Sequence, residues 1–122
     1  MSRPEAVIQA ELLRCSRGPT RLFRNSVGQG WTGRLLDNSA GRVVLADARP
    51  VRFGLCDGSA DLIGWHTVGG IARFLAVEAK SATGRPSASQ TNFLARVTEA
   101  GGIAGICRSV DDLETLLRGP LL

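Results

Sequence analysis

The chain has 122 residues and a formal net charge of +4, from 15 basic and 11 acidic side chains. This length suits one domain around a single hydrophobic core, and no apolar run approaches the roughly 20 residues that a membrane-spanning helix needs. The three cysteines Cys15, Cys56 and Cys107 form no Cys-x-x-Cys pair, which argues against a disulfide framework and a structural zinc site. Residues 1–5 lack the apolar segment of a secretory signal, so we expect a cytoplasmic protein.

The first helix is predicted for residues 2–15. Ser2 is the expected N-cap, Pro4 falls in the first turn and Glu5 takes the acidic position of a capping box. Glu5 also shares a helical face with apolar residues, so it points inward and is a candidate site residue as well. Glu11 lies further round the flank of the helix and is the second choice for that role.

Four arginines at the end of this helix and just after it form a candidate nucleic-acid surface, to which Asn25 is added. These arginines are Arg14, Arg17, Arg21 and Arg24. Clustered arginines raise the local positive potential, and the sequence pI is near 9.8. The helix also carries acidic residues and no aromatic anchor, which favours nucleic acid over a membrane surface. A net positive charge alone is also what solubility would require.

The next segment predicts one strand and a hairpin. Residues 21–25 are typical of a strand, and residues 27–30 predict a tight turn because two of them are glycine. Residues 31–36 and 42–53 then flank the turn-like segment 37–41, which predicts a β-hairpin.

Strands and helices alternate in the second half of the chain. The predicted strands are residues 61–65, 73–80 and 103–107, and the predicted helices are residues 88–100 and 110–118. Segment 66–70 joins the first two of these strands. This order places helices on both sides of a mixed sheet, so the predicted class is α/β, and a site is expected at the strand ends.

Glu78 and Lys80 are the first candidates for chemistry. Lys80 is the only lysine in a chain with 14 arginines. Residues two apart in a strand project from the same face, so the two side chains lie side by side. The proton affinity of a lysine responds to its surroundings, so Lys80 can orient or help deprotonate a water. The alternative is a solvated ion pair at a strand end.

Asp61 is the second carboxylate of the predicted site. It begins one strand and Glu78 ends the next, and paired strands lie about 4.8 Å apart, so the two carboxylates can converge on one cation. Oxygen ligands favour Mg²⁺ or Mn²⁺ over zinc. Without Glu78 and Lys80, Asp61 would be taken as a turn residue. Asp57 is either a spare ligand or, as we prefer, an acid of that turn.

Gln90 allows two interpretations. It lies on the same helical face as Phe93, Leu94 and Val97, so its amide points toward the sheet and needs a polar partner. It can equally bond back to Ser87 in a capping box.

Organic cofactors have no recognisable site in the sequence. Residues 27–30 lack the following helix and distal acid of a dinucleotide fingerprint, and no phosphate-binding Gly-Lys-Ser/Thr motif is present. His66 is the only histidine, is expected in a connecting loop, and has no serine or cysteine arranged with it as a triad.

Seven short pieces of the chain occur in the order and with the spacing of one nuclease family. They are Glu5-x-x-Ile8-Gln9, Leu22-Phe-Arg24-Asn25-x-x-Gly28, Gly58-Ser-Ala-Asp61-Leu-Ile-Gly64, Glu78-Ala-Lys80, Gly84, Gln90-x-x-Phe93-Leu94 and Gly101-Gly102. On these pieces the chain resembles the VRR-NUC family of PD-(D/E)XK nucleases, especially its short stand-alone phage-type members. Ala60 stands where the superfamily's name has proline, which this branch tolerates.

The resemblance implies a restriction-endonuclease-like α/β core, a central mixed sheet flanked by helices, in one VRR-NUC domain over residues 1–122. It implies a divalent-metal phosphodiesterase in which Asp61, Glu78 and the carbonyl of Ala79 bind Mg²⁺ or Mn²⁺. Lys80 would then position the attacking water.

Two further site residues follow from the resemblance. Glu5 would match the acidic residue of the first helix and serve as an additional metal ligand. Gln90 would match the glutamine that follows the Glu-x-Lys strand.

Stand-alone family members resemble Holliday-junction resolvases, so the resemblance also implies a homodimer that cuts branched DNA in a bacterial host or phage-infected cell. Two cuts across a symmetric junction call for two active sites related by a twofold axis. The alternatives are a flap or single-strand nicking nuclease and a DNA-binding module that has lost catalysis. Neither a membrane nor an organic cofactor is expected as a partner.

Overall fold

The computed structural model describes residues 3–119. Among these, residues 3–25 and 57–119 form one compact unit, called the core unit below, and Ser26–Cys56 forms a second, called the hairpin. Among the described residues, no helix is both long and apolar enough to cross a membrane.

Helices and strands of the core unit alternate much as the sequence predicts. The helices are α1 (Glu5–Leu13), α2 (Ala88–Glu99) and α3 (Val110–Leu117), and the strands are β1 (Thr20–Arg24), β4 (Leu62–Val68), β5 (Ile71–Ala79) and β6 (Ile103–Cys107). The hairpin consists of β2 (Gly28–Ser39) and β3 (Arg42–Phe53), which pair antiparallel.

The four strands of the core unit form a mixed sheet in the order β1-β4-β5-β6. The first two pairings are antiparallel and the β5–β6 pairing is parallel. Leu62 pairs with Val77, so the preceding residue Asp61 lies across from Glu78. The predicted α/β class, a central mixed sheet flanked by helices, is confirmed.

Each face of this sheet packs against helices through alternate residues of the strands. Leu75, Val77 and Ala79 of β5 join Leu12 of α1 and Leu113 of α3 in the main core, and all five are fully buried. On the opposite face, Ala76 packs in a smaller cluster with Leu94 of α2. Residue 78 has the parity of residue 76, so Glu78 projects into the α2 side of the sheet.

Two glycines of the core unit are required by close contacts. A Cβ on Gly64 would lie 1.8 Å from the carbonyl oxygen of Arg21, so β1 and β4 could not approach as they do. Gly58 has a φ of +83° and its Cβ would lie 2.8 Å from Ser89. Any side chain at residue 58 would therefore disturb the turn that leads into Asp61.

The predicted turn at residues 27–30 is wrong, because β2 already begins at Gly28. A Cβ on Gly28 would lie 2.8 Å from the ring of Phe53 across the hairpin, so this glycine makes room for a cross-strand side chain. The predicted hairpin does form, and its turn lies at the end of the predicted segment 37–41. The turn residues are Ala40 and Gly41, whose φ angles of 53° and 71° suit a two-residue hairpin turn.

His66 is also misplaced by the sequence, since it lies inside β4 and not in a connecting loop. Its Nδ1 lies 2.9 Å from Thr20 Oγ1 on β1. The turn between β4 and β5 is made by Gly69 and Gly70, both with positive φ.

The start of α1 differs from the prediction. Pro4 is the N-cap, with extended backbone angles, and Glu5 is the first helical residue, so Glu5 does not occupy the third helical position that a capping box uses. The predicted cap Ser2 lies outside the described residues. At its other end α1 stops at Leu13, two residues before Cys15.

Of the three cysteines, Cys107 is buried, Cys15 is half-buried and Cys56 is exposed. Reduced, partly buried thiols are the simplest prediction from the sequence, and burial is confirmed for Cys15 and Cys107 but wrong for Cys56.

Candidate active site

Two carboxylates face each other at the ends of the neighbouring strands β4 and β5. Asp61 Oδ2 accepts a hydrogen bond from the backbone N–H of Ala79 at 3.1 Å, which fixes Asp61 against the last residue of β5. Glu78 is 1% exposed and lies one residue before that contact. The structure therefore brings the two predicted ligands together, as their positions in the strands require.

The environment of Glu78 favours its neutral form. The pKa of Glu78 rises to about 8, first because burial removes the carboxylate from water and then because Asp61 stands beside it as a hydrogen-bonding neighbour and as a like charge. The Lys80 ammonium acts in the opposite direction, and Glu5 raises the pKa slightly further. Two ionised carboxylates cannot hydrogen-bond each other, so Asp61 and Glu78 interact favourably only when they share a proton.

One oxygen of Glu78 has no hydrogen-bond donor. Oε1 accepts a bond from Gln90 Nε2 at 3.2 Å, whereas the buried Oε2 meets no donor group among residues 3–119. When Glu78 is ionised, only a proton shared with Asp61 or a cation can satisfy Oε2. A buried polar atom without a partner is costly, and functional sites are where such atoms occur.

Gln90 satisfies both interpretations that the sequence left open. Its side-chain Oε1 accepts from the backbone N–H of Ser87 at 2.8 Å. The backbone N–H of Gln90 donates to Ser87 Oγ at 3.2 Å, which completes the capping box of α2. Because the acceptor end of the amide is fixed by this cap, the donor end points at Glu78. The cap therefore orients the amide toward the site.

Lys80 immediately follows β5, next to the end of β6. Its backbone N–H donates to the carbonyl of Cys107 at 3.2 Å, so the pairing with β6 fixes the main chain at this residue. The side chain is half-buried and close enough to Glu78 to lower its pKa.

Arg108 is a positioning residue that sequence reasoning missed. Its guanidinium donates to the carbonyls of Ser81 and Gly84, the latter at 2.8 Å, and so pins the loop that follows Lys80. A signal was present: in a parallel β5–β6 pair, the residues just after the two strands are neighbours.

Asn25 does not fit the predicted contact with DNA. It is 8% exposed, and its side-chain amide donates to Ser59 Oγ at 2.7 Å and to the carbonyl of Ala60 at 2.8 Å. Its backbone N–H donates to the carbonyl of Asp61 at 2.7 Å. Asn25 therefore holds the segment that delivers Asp61 and is buried away from a surface ligand. Asp57 is exposed in the turn that begins this segment, as expected for a turn acid.

The two acidic residues of α1, Glu5 and Glu11, have different neighbours in the structure. Glu5 is exposed at the start of α1, so the prediction that it points inward is wrong, yet it is close enough to raise the pKa of Glu78. Glu11 forms an ion pair with Arg3 instead. Of the two, Glu5 is the one whose charge reaches the carboxylate pair.

The four arginines do not share one face. Arg21 donates to the carbonyls of Gly18 and Thr20, and Arg24 donates to Gln9 Oε1 on α1 at 2.9 Å. These two residues are three apart in β1, so they project from opposite faces of the sheet. Arg14 and Arg17 are exposed beyond the end of α1.

The chemistry of the carboxylate pair suits a hard cation. Asp61 and Glu78 offer oxygen donors, and the unpartnered Oε2 and the raised pKa of Glu78 are both relieved by positive charge between the two groups. Across residues 3–119, however, no three acidic, histidine or cysteine side chains gather into a cluster that could hold a metal ion. Glu5 thus contributes charge without closing a three-acid site.

A family model for the VRR-NUC domain matches residues 9–111. No curated protein matches the chain. A VRR-NUC domain implies a nuclease that binds DNA, and nuclease domains of this family generally use divalent metals. The match includes Asp61, Glu78, Lys80 and Gln90, and it begins four residues after Glu5. On this evidence the chain belongs to the VRR-NUC domain family.

Proposed function

We propose that the protein is a divalent-metal-dependent DNA endonuclease whose active site is formed by Asp61, Glu78 and Lys80. The observation that carries the proposal is the pair of facing carboxylates on adjacent strands, one of them buried with an unpartnered oxygen, with the single lysine of the chain two residues further on. A solvated surface ion pair would not bury Glu78 to 1% exposure.

The proposed roles follow from what each group touches. Asp61 and Glu78 would hold Mg²⁺ or Mn²⁺, with the Ala79 carbonyl as a further ligand. Glu5, whose charge reaches the pair but which completes no three-acid cluster among the described residues, would act from outside the ligand set. Such a cation stabilises charge on the phosphoryl oxygens and acidifies a bound water. Lys80 holds the attacking water in line by its ammonium group.

Gln90 and Arg108 support this site without contacting the reacting atoms. Gln90 fixes the rotamer of Glu78 through Oε1, which leaves Oε2 for a cation. Arg108 fixes the loop after Lys80 through its bonds to Ser81 and Gly84. Side chains whose rotamers are held in this way keep a site preorganised.

We further propose that the enzyme is a homodimer that cuts four-way junctions. The hairpin supports association, because an isolated two-stranded ribbon is marginally stable and this one exposes many large apolar side chains. Within β2 and β3, the large apolar residues exposed by more than half are Trp31, Leu35, Leu36 and Val43. A second copy would cover them and bring a second active site.

Arg14 and Arg17 would add sequence-independent phosphate contacts in each protomer. Both are exposed beyond the end of α1. Because such contacts are electrostatic, affinity for DNA should fall steeply as salt is raised.

The test is a panel of end-labelled four-way, flap, fork, single-stranded and linear duplex DNAs, incubated with Mg²⁺, Mn²⁺ or EDTA. The proposal predicts metal-dependent cutting, with paired nicks in opposing strands of the four-way junction. Preference for flaps or single nicks would select the alternative of a flap or nicking nuclease. Binding of DNA without cutting under either metal would select a module that has lost catalysis.

A further inference from the structure

The α2 side of the core sheet exposes three aromatic residues where a sheet face would normally be covered. Phe23, Trp65 and Phe74 are 52%, 41% and 42% exposed. Phe23 and Trp65 have ring centroids 5.8 Å apart with planes tilted by 42°, and Trp65 is the cross-strand partner of Phe74. The three rings thus lie on three neighbouring strands, β1, β4 and β5, and are called the aromatic strip below.

The aromatic strip continues directly from the proposed active site. Along β4, residues 61, 63 and 65 share one face, and along β5 residues 78, 76 and 74 share the same face. At about 3.3 Å per residue, Trp65 lies about 13 Å along the sheet from Asp61. A ligand on the strip therefore reaches the carboxylates without leaving this face of the sheet.

Positive charge borders the strip at its far end. Arg21 is the β1 partner of Trp65, and its guanidinium is held near Gly18 and Thr20. Beyond Phe74, a pocket is lined by Phe93 and by Arg96, whose guanidinium also pairs with Glu99 at 3.1 Å. Exposed aromatic rings with guanidinium groups beside them match the requirements of an unpaired nucleotide strand, whose bases stack and whose phosphates are anionic.

We propose that the aromatic strip is a base-stacking platform for an unpaired segment of DNA next to the cleavage site. This inference rests on the proposed function, since it uses the same active site. It adds that bases beside the cut are unpaired, as they are in a flap or in a four-way junction whose crossover has frayed. Bases in an intact duplex are stacked on each other and cannot offer their faces to Phe23, Trp65 or Phe74. The strip therefore discriminates branched or frayed DNA from linear duplex at the level of one protomer.

The chain allows a direct spectroscopic test. It contains two tryptophans, so Trp31→Phe leaves Trp65 as the reporter. This variant is titrated in EDTA with oligothymidine, with an abasic oligonucleotide of the same length, and with duplex. The proposal predicts saturable quenching of Trp65 by oligothymidine and at least about tenfold weaker binding of the abasic strand, because stacking contributes about 1–3 kcal/mol per base.

Variants separate stacking from a structural effect. Phe23→Ala and Phe74→Ala should each weaken oligothymidine binding about fivefold or more and leave binding of the abasic strand unchanged. Val7→Ala is the control, because Val7 is a large apolar residue that is 45% exposed on α1, which packs on the opposite face of the sheet. Thermal unfolding of each variant checks that the fold persists. Trp65→Ala should also weaken oligothymidine binding, whereas Trp65→Phe should retain most of the affinity because phenylalanine can still stack on a base.

Three results would overturn the platform. These are equal affinities for the abasic strand and oligothymidine, no response of Trp65 fluorescence, and dissociation of a dimer by Phe23→Ala or Trp65→Ala with unchanged oligonucleotide affinity. The last result would identify a second copy as the occupant. The binding titration contains no metal, so loss of stacking leaves the nuclease proposal standing, and absence of Mg²⁺-dependent cutting leaves the platform standing.

Discussion

At the scale of single residues, the proposed role of Lys80 requires a lysine and not an arginine. The chain uses arginine at 14 of its 15 basic positions, yet the residue beside the buried Glu78 is lysine. A guanidinium is planar, wide and permanently protonated, whereas an ammonium is a compact charge that can hold a water close to the reacting phosphorus.

Lys80→Arg is therefore expected to fold normally and bind DNA with near wild-type affinity, but to cut it on the order of a hundredfold more slowly. The measurement is single-turnover cleavage of a labelled junction, with binding by anisotropy and thermal unfolding as controls. Arg85→Lys is the control, because it exchanges the same two residue types at an exposed position, and it should leave cleavage unchanged. Cleavage by Lys80→Arg within a few-fold of wild type would remove Lys80 from the mechanism.

The raised pKa of Glu78 predicts how stability depends on pH in the metal-free protein. The ordinary pKa is 4.5 and the folded value is about 8, so between these two values the folded state keeps a proton that the unfolded chain has released. Stability contributed by this group is thus fully present below pH 4.5, falls as pH rises, and levels off above about pH 8.

Glu78→Gln removes this titration, because a glutamine stays neutral. In EDTA at pH 8 it should raise the free energy of unfolding by at least about 1 kcal/mol, and the gain should vanish near pH 4.5. Urea unfolding at a series of pH values measures the difference. Asp57→Asn, a change of the same kind at the exposed turn acid, provides the comparison. A gain that is independent of pH would show that ionisation of Glu78 is not its origin.

At the scale of elements, the sequence predicts the core strands well because their patterns are strong. The apolar run that ends in Glu78-Ala-Lys80 specifies β5, and Ser87 with Gln90 specifies the start of α2. The glycines at 28 and 30 mislead, because a glycine that makes room for a cross-strand ring has the same local signature as a glycine in a turn. Only the pairing with Phe53, 25 residues later in the chain, distinguishes the two.

The candidate site is predicted in part for a related reason. Asp61, Glu78 and Gln90 meet because strand parity and one helix cap determine their directions. The role of Asn25 depends on a tertiary contact with Ala60 that no local pattern encodes. The role of Arg108 follows from the sequence only once β5 and β6 are known to pair.

The hairpin is expected to form the dimer interface. Its exposed apolar side chains are expected to be covered by a second copy, so Leu35→Glu or Val43→Glu should convert a dimer to a monomer. Multi-angle light scattering at working concentration measures the mass, for which one chain is 12.9 kDa. Thr32→Glu, a change on the same ribbon at an exposed polar position, is the control. A wild-type monomer would contradict both the dimer and the use of the hairpin.

At the scale of the whole molecule, the family match over residues 9–111 covers parts of the core unit and the whole hairpin. The single domain over residues 1–122 stays a prediction. A small chain with one open site gains selectivity for branched DNA in two ways under this account: a second copy supplies a second site, and the aromatic strip favours unpaired bases beside the cut.

The central claim is that Asp61 and Glu78 form a cation site that the cleavage reaction requires, and calorimetric titration of Mn²⁺ tests it most directly. Three proteins are compared at pH 8 under matched conditions: wild type, Asp61→Ala and the control Asp57→Ala. The account predicts that wild type and Asp57→Ala bind Mn²⁺ with similar affinity, and that Asp61→Ala loses more than about tenfold in affinity together with metal-dependent cutting. Unchanged Mn²⁺ affinity in Asp61→Ala would contradict the assignment of Asp61 as a ligand and, with it, the proposed active site.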